Sequence, residues 1–96
     1  MYCVTVDFTL HPGAAEAFMP RMRQQRDDSL HLEEGCTVFE IWTGKGQPDT
    51  VYLYEIYTSE QAFEAHLASS HFRAFAAAVE PLVAARVLKC WETREP

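Results

Sequence analysis

Apolar and polar residues alternate along the first segment of the chain, residues 2–10. One side of this segment carries Tyr2, Val4, Val6, Phe8 and Leu10, while Asp7 lies on the other, mixed side. A period of two predicts a β-strand with one apolar face. His11-Pro12-Gly13 ends the strand, and Pro12 suits the first turn of a helix because its φ is fixed.

The next segment, from about Ala14 to His31, repeats its apolar residues with a helical period. The residues that share one side are Ala15, Phe18, Met22 and, with a short polar side chain, Ser29. This spacing predicts an amphipathic helix. Pro20 lies inside it and removes one backbone hydrogen bond, so we expect a kink or a late start there. Gly35 is a plausible stop.

Two segments rich in β-branched and aromatic residues follow, at 36–43 and 51–57, separated by the turn-forming residues 44–50. They predict a β-hairpin. Neither side of either strand is polar. Both faces of the sheet therefore need a cover.

A second helical region begins after the hairpin, with Thr58 or Ser59 as its cap. A pair of serines interrupts it, and Ser70 can cap a further stretch of helix that Pro81 ends. Residues 82–91 predict a fourth strand. The order is βαββαβ, an α+β chain with the ferredoxin-like arrangement of a four-stranded antiparallel sheet and helices on one face.

Length and composition predict one domain, residues 1–96, that pairs with itself. The chain is 48% hydrophobic and 12% aromatic, more apolar material than one thin core of this size easily hides. Because the strands are apolar on both sides, we expect a homodimer formed by sheet-to-sheet packing.

Charge and motif content narrow the function. The net charge is −6 and the basic residues are scattered, which argues against nucleic acid as a partner. No stretch approaches the ~18 apolar residues of a membrane span, and the start lacks a signal pattern, so we expect a cytoplasmic protein. Cys3, Cys36 and Cys90 are interpreted as reduced core residues. No spaced metal motif is present, so no metal site is expected.

A longer motif carries a family resemblance. The run Tyr54–Phe72 reads YEIYTSEQAFEAHLASSHF, and Glu33-Glu34-Gly35-Cys36 lies upstream. It resembles the antibiotic biosynthesis monooxygenase domain family, above all its quinol monooxygenase and autoinducer-2 degradation isomerase types. The resemblance implies a dimer with a pocket between sheet and helices, and no cofactor. Haem-degrading relatives carry Asn, Trp and an axial His where this chain has Asp7, His66 and Ala76, so haem degradation is not expected.

His66 is the first candidate catalytic residue, because it lies on the inward side of its helix between Phe63 and Leu67. An imidazole there can titrate near neutral pH. Oxygenation without a cofactor needs a base that removes a proton from a phenol, quinol or activated carbon acid, since the anion can pass an electron to O₂. The alternative is a core histidine that bonds a backbone carbonyl.

Asp7 and Glu55 are candidate catalytic partners, each the one charge in its strand. Strands one and three are neighbours in this fold, so the two carboxylates are expected to approach each other or one pocket. An apolar setting would raise their pKa, and either could orient His66. The alternative is an interface ion pair with Arg86 or Lys89.

Further residues are candidates for substrate binding. His71 lies five positions after His66, roughly 140° around a continuous helix, so the two should not share a face for a metal. Flat surfaces for an aromatic substrate come from Tyr57, Phe63, Phe39 and Trp42, which are otherwise plain core. Arg26 and Arg73 are the cations that look able to reach a pocket.

Three functions follow from these residues. The leading one is a cofactor-independent monooxygenase of quinols or related polycyclic phenols. The second is an isomerase of a small phosphorylated carbonyl compound, which would need Arg26 and Arg73 to hold the phosphate. The third is a non-catalytic dimer that binds a small ligand.

Overall fold

A computed structural model describes residues 1–96 as a four-stranded antiparallel sheet with helices on one face. The strands are β1 (Tyr2–Leu10), β2 (Cys36–Gly44), β3 (Gln47–Tyr57) and β4 (Val83–Trp91). The helices are α1 (Ala15–Leu32), α2 (Glu60–Ala68) and α3 (Ser70–Val79), with one 3₁₀ turn at Glu80–Leu82. The sheet order β2-β3-β1-β4 confirms the ferredoxin-like prediction. None of the helices is both long and apolar enough to cross a lipid bilayer.

The core lies between β1, β3 and the helices. The even-numbered side chains of β1 all point into it and are buried, as their alternation predicts. Phe18 and Met22 of α1 pack onto them and are completely enclosed, and Phe63 of α2 completes the layer. Burial of these large apolar groups is what holds the helices to the sheet.

Two element boundaries differ from the sequence prediction. Helix α1 begins at Ala15 and continues through Pro20, so the expected late start is wrong; the proline side chain is exposed, and only one backbone hydrogen bond is lost. The predicted seven-residue hairpin loop is also wrong. Strand β3 already begins at Gln47, and the turn needs only Lys45 and Gly46, where the glycine supplies a φ of +73°.

The predicted break between the second and third helices is present, but Ser69 makes it. Ser69 ends α2 with an extended backbone, and its Oγ accepts a hydrogen bond from the backbone N–H of Phe72 at 3.2 Å. Ser69, and not Ser70, is therefore the cap of α3. Ser59 caps α2 in the same way, through the N–H of Ala62.

The sheet face opposite the helices is bare. Large apolar side chains are exposed on it, including Trp42 at 59%, Val87 at 51% and Trp91 at 50%. Strand β4 is exposed along almost its whole length, including Cys90. The prediction that all three cysteines are core residues is therefore wrong for Cys90, because the edge strand has no cover.

Candidate functional site

A cavity of about 500 Å³ lies between the helix-facing side of the sheet and the helices. This volume is typical of a site for a small organic ligand. Most of its lining is apolar, and the aromatic members are Phe8, Phe39, Phe63, Phe72 and Phe75. The polar members are Gln25, Glu55, His66, Glu80 and Arg86. Few polar groups in an apolar wall can fix the orientation of a flat ligand.

His66 lies in the wall of this cavity and is buried. Helix α2 begins at Glu60, and Phe63 and His66, three residues apart, project from one side of it toward the sheet. The imidazole packs against Phe63, Tyr57 and Phe72, with ring centroids 5.0 to 6.0 Å away. Aromatic neighbours on three sides fix the ring in one position.

Glu33 holds one nitrogen of that ring. Nδ1 of His66 lies 2.8 Å from Oε2 of Glu33 and 3.1 Å from Oε1. The carboxylate can only accept, so Nδ1 carries the proton and donates it, and in a neutral ring Nε2 is then an unprotonated acceptor. Nε2 makes no hydrogen bond within the chain. It is the atom left free to receive a proton from a ligand.

Gly35 allows Glu33 to come this close to α2. A Cβ on Gly35 would lie 2.5 Å from the Cβ of Ala62 and 3.2 Å from Oγ1 of Thr58. The backbone N–H of Thr58 also donates to the carbonyl of Gly35 at 2.9 Å. The segment between α1 and β2 therefore packs directly on the start of α2, and this contact sets the position of the carboxylate.

His71 joins the same carboxylate. Its Nε2 donates to Oε2 of Glu33 and lies 3.2 Å from Oγ of Ser69. The angle of roughly 140° between His66 and His71 holds only if one helix continues, and the predicted break between α2 and α3 is present. The break at Ser69 turns α3 so that both imidazoles meet at Glu33.

These three residues are also the set that could hold a metal ion. One donor atom from each of Glu33, His66 and His71 lies within 4.8 Å of the others. Two histidines and a carboxylate form ligand sets for zinc and for non-haem iron. Sequence spacing did not reveal this grouping. In the structure a ring nitrogen of each imidazole lies within hydrogen-bond distance of Glu33.

Glu55 is a second titratable group in the cavity, only 3% exposed. Its pKa is raised to about 7, chiefly by burial. The hydrogen bond from the Tyr57 hydroxyl lowers the pKa, and the negative charge of Glu33 raises it further. The Tyr57 hydroxyl donates to Oε1 of Glu55 at 2.5 Å. Glu55 can therefore exchange a proton near neutral pH.

The pKa of His66 shifts the other way. Burial lowers it, while the hydrogen bond and the charge of Glu33 partly restore it and the nearby His71 lowers it further. Since the lowered value lies below the ordinary pKa of histidine, the ring is neutral at neutral pH. A neutral imidazole with a free Nε2 is the form that a general base requires.

The expected pair of Asp7 and Glu55 is wrong. In the register, Asp7 lies opposite Tyr52, and Glu55 lies opposite Val4. Residues 4 and 7 of one strand point to opposite faces, so Asp7 is exposed on the bare face of the sheet and Glu55 points into the cavity. Glu55 also bonds Tyr57 and not His66, whose partner is Glu33.

Five of the predicted substrate-binding residues lie outside the cavity wall, and His71, which bonds Glu33, is one of them. Trp42 is exposed on the bare face, because it pairs with Tyr52. Arg26 binds its neighbour Asp27 at 2.9 Å, and Arg73 is exposed on α3. Tyr57 is buried behind Glu55. Of the predicted aromatic residues, Phe39 and Phe63 do line the cavity.

Sequence reasoning missed two residues of the site. Glu33 was part of the quoted motif, but nothing in its position after α1 shows that it reaches His66. Gln25 is 3% exposed and its Oε1 has no partner. Its signal was available, because the buried positions of α1 are 18, 22, 25 and 29, and a polar residue in such a stripe is unusual.

Comparisons with known proteins agree with this architecture. A family profile described as "Antibiotic biosynthesis monooxygenase" matches residues 1–78. A structure from Nitrosomonas europaea, named as a candidate member of that family, superposes with a TM-score of 0.90 at 24% identity, over 97% of this chain and 98% of that one. A similarly named structure from Caulobacter crescentus gives 0.91 at 24%, over 98% and 90%. PA3566 from Pseudomonas aeruginosa gives 0.89 at 22%, over 98% and 94%. A search of curated proteins finds no match.

Proposed function

Because the chain belongs to the antibiotic biosynthesis monooxygenase family, we propose that it oxygenates quinols or related polycyclic phenols without a cofactor. The observation that carries the proposal is His66. Its ring lines an apolar cavity of about 500 Å³, its Nδ1 is bonded to Glu33, and its Nε2 has no partner. A substrate hydroxyl can supply that partner.

The reaction begins when Nε2 of neutral His66 accepts the proton of the substrate hydroxyl. Glu33 stabilises the resulting imidazolium through the bond to Nδ1. The electron-rich phenolate then transfers an electron to O₂, and the two radicals combine to form a C–O bond. Loss of the ring C–H proton and cleavage of the O–O bond leave a carbonyl and one water molecule. The water molecule contains the second oxygen atom of O₂ and two hydrogens, one from the ring C–H and one from the hydroxyl of the substrate.

Glu55 is proposed to deliver the proton for O–O cleavage. Its carboxyl lies in the same cavity as His66, with a pKa of about 7 that keeps a large protonated fraction at neutral pH. The Tyr57 hydroxyl holds one of its oxygens. The mostly apolar wall keeps water away from the reactive intermediates.

A second copy of the chain is proposed to cover the bare sheet face. That face exposes Trp42, Val87 and Trp91 by half or more and also Tyr54 at 37%. A contiguous patch of this kind is rare on a monomer, and two such faces pack well in an aligned sandwich. The dimer would add rigidity to the sheet that forms the cavity floor.

The isomerase alternative is weaker because the two arginines expected to anchor its phosphate do not line the cavity. Arg26 is bonded to Asp27, and Arg73 is exposed. The cation that does line the wall, Arg86, belongs to the exposed edge strand β4. The non-catalytic alternative makes no use of a free Nε2 on a neutral, carboxylate-bound imidazole.

Oxygen uptake by chelator-treated protein, measured with a panel of quinols, anthrones and activated phenols, tests the proposal. Uptake with at least one substrate should fall by roughly 10² to 10⁴-fold in His66→Ala, the usual contribution of a general base. His11→Ala is the matched control, since His11 is exposed beside β1, and should retain the native rate. Uptake that His66→Ala leaves unchanged would refute the role of His66 as base.

A further inference from the structure

Gln25 is a buried polar side chain that the proposed chemistry does not use. It lines the cavity from α1 and is 3% exposed. Its Oε1 is the one enclosed side-chain nitrogen or oxygen in the chain without a hydrogen-bond partner. Buried polar atoms are nearly always paired in folded proteins. An unmet acceptor in a cavity wall points to a group that arrives with the ligand.

The chemistry of Gln25 defines that group as a neutral donor. Its Nε2 is directed toward Oγ of Ser29, which is 3.4 Å away and fully buried. This leaves the carbonyl oxygen without a partner, and a carbonyl oxygen only accepts a hydrogen bond. Removing a charged ammonium group from water costs much more than removing a hydroxyl, so a hydroxyl is the donor that suits a mostly apolar wall.

Gln25 would bind a hydroxyl other than the one that reacts. A hydroxyl carries a single hydrogen, so the hydroxyl that donates it to Nε2 of His66 cannot also donate it to Oε1 of Gln25. A ligand that satisfies both groups therefore carries at least two hydroxyls.

We infer that Gln25 forms a second polar subsite of the cavity, which binds a hydroxyl of the substrate other than the one that His66 deprotonates. The substrate class is then a phenol or quinol that carries at least one hydroxyl besides the reacting one. This inference rests on the proposed function for the identity of the reacting end. The subsite itself rests on the unpaired oxygen and the cavity.

The test measures binding of unreactive, product-like quinones in the absence of O₂. Anthraflavic acid has three rings and one hydroxyl at each end, and it is compared with the analogue that lacks one hydroxyl. The pH is kept below the pKa of both phenols. Native protein should bind the dihydroxy compound roughly tenfold more tightly, because one hydrogen bond contributes about this difference in affinity. Gln25→Met should bind both compounds equally.

Gln24→Met is the matched control, because Gln24 is exposed on α1 and bonds Asp28 outside the cavity, and it should keep the tenfold preference. A preference that survives in Gln25→Met, or its absence from the native protein, would overturn the subsite. The monomethyl ether of anthraflavic acid provides a test on the native protein. One of its two oxygens carries a methyl group in place of hydrogen and cannot donate. If the ether bound as tightly as anthraflavic acid, the subsite would also be overturned.

The two proposals fail separately. His66→Ala should bind the dihydroxy compound more tightly than the double variant His66→Ala with Gln25→Met, since the hydrogen bond to Gln25 needs no base. Native protein that shows this preference and consumes no oxygen with any quinol would refute the monooxygenase and leave the Gln25 subsite standing.

Discussion

Glu33 and His66 form a carboxylate–imidazole pair in which each group defines the state of the other. The carboxylate fixes the tautomer of the ring, and burial keeps the ring neutral, so that Nε2 is a free acceptor. Glu33 touches no cavity space and acts through His66 as a positioning residue. His71 bonds the same carboxylate and fixes its rotamer.

Replacement of Glu33 by Gln should slow the reaction and shift its pH dependence. A charge-assisted hydrogen bond contributes about 1.5–3 kcal/mol, so kcat/KM should fall roughly 10 to 100-fold. Protonation of His66, which lies beside His71, sets the acidic limb of the pH profile of kcat/KM. Because Glu33 raises the pKa of His66, this limb should move to lower pH in Glu33→Gln. The exposed neighbour supplies the control, Glu34→Gln, which should change neither quantity. An unmoved acidic limb would contradict this role of Glu33.

Glu55 should make the native protein less stable as pH rises. Its pKa is raised from 4.5 to about 7 in the folded state, so between these values the folded protein binds more protons than the unfolded chain. Stability is therefore lost as pH rises through this window, by on the order of 3 kcal/mol. In Glu55→Gln this part of the slope should vanish in urea unfolding at a series of pH values. The control is Glu64→Gln, on the exposed side of α2, which should keep the native slope of stability against pH. If Glu55→Gln also kept the native slope, the raised pKa of Glu55 would be contradicted.

At the scale of elements, two local features build the site. The break at Ser69 brings His71 back to Glu33, and the contact of Gly35 with Ala62 positions the carboxylate. Strands and helices were predictable because alternation and helical periodicity are local properties. The register that separates Asp7 from Glu55 was not predictable from the sequence, since it depends on how β1 pairs with Val51–Tyr57 in the folded sheet. The meeting of Glu33, His66 and His71 depends likewise on how elements pack.

A double-mutant cycle tests the contact between Gly35 and α2. The added methyl of Gly35→Ala would lie 2.5 Å from the Cβ of Ala62, so the variant should lose about 1–3 kcal/mol of unfolding free energy. Ala62→Gly alone weakens the helix by about 1 kcal/mol. Because it removes the clashing Cβ, the double variant should be more stable than the sum of the two losses predicts. Strict additivity in chemical denaturation would show that the close approach is absent.

For the whole molecule, the distribution of apolar surface favours a dimer. The helix-facing side of the sheet carries the core and the cavity, while the other side exposes Trp42 and its neighbours. Sequence patterning predicted this two-sided apolar character. The sequence pattern did not reveal the identity of the ligand, because the polar residues of the cavity wall, among them Gln25, Glu55 and His66, come from separate elements.

Replacement of Trp42 by Glu should convert the dimer to a monomer. The substitution places a charge on the bare sheet face, in the proposed interface, where it would lose its hydration. Sedimentation velocity should give a dimer for the native protein and a monomer for Trp42→Glu. Leu32→Glu is the control, since Leu32 is 68% exposed at the end of α1, and it should stay dimeric. A native protein that sediments as a monomer at all concentrations would contradict the proposed sheet-to-sheet pairing.

The most direct test of the central claim, base-assisted oxygenation in the cavity of His66, uses isotopically labelled dioxygen. Chelator-treated native protein is incubated with a dihydroxylated polycyclic phenol, and the quinone is analysed by mass spectrometry. The account predicts one labelled oxygen atom per product molecule, formed at a rate that drops at least a hundredfold in His66→Ala. Product without the label, or labelled product formed equally fast by His66→Ala, would contradict it.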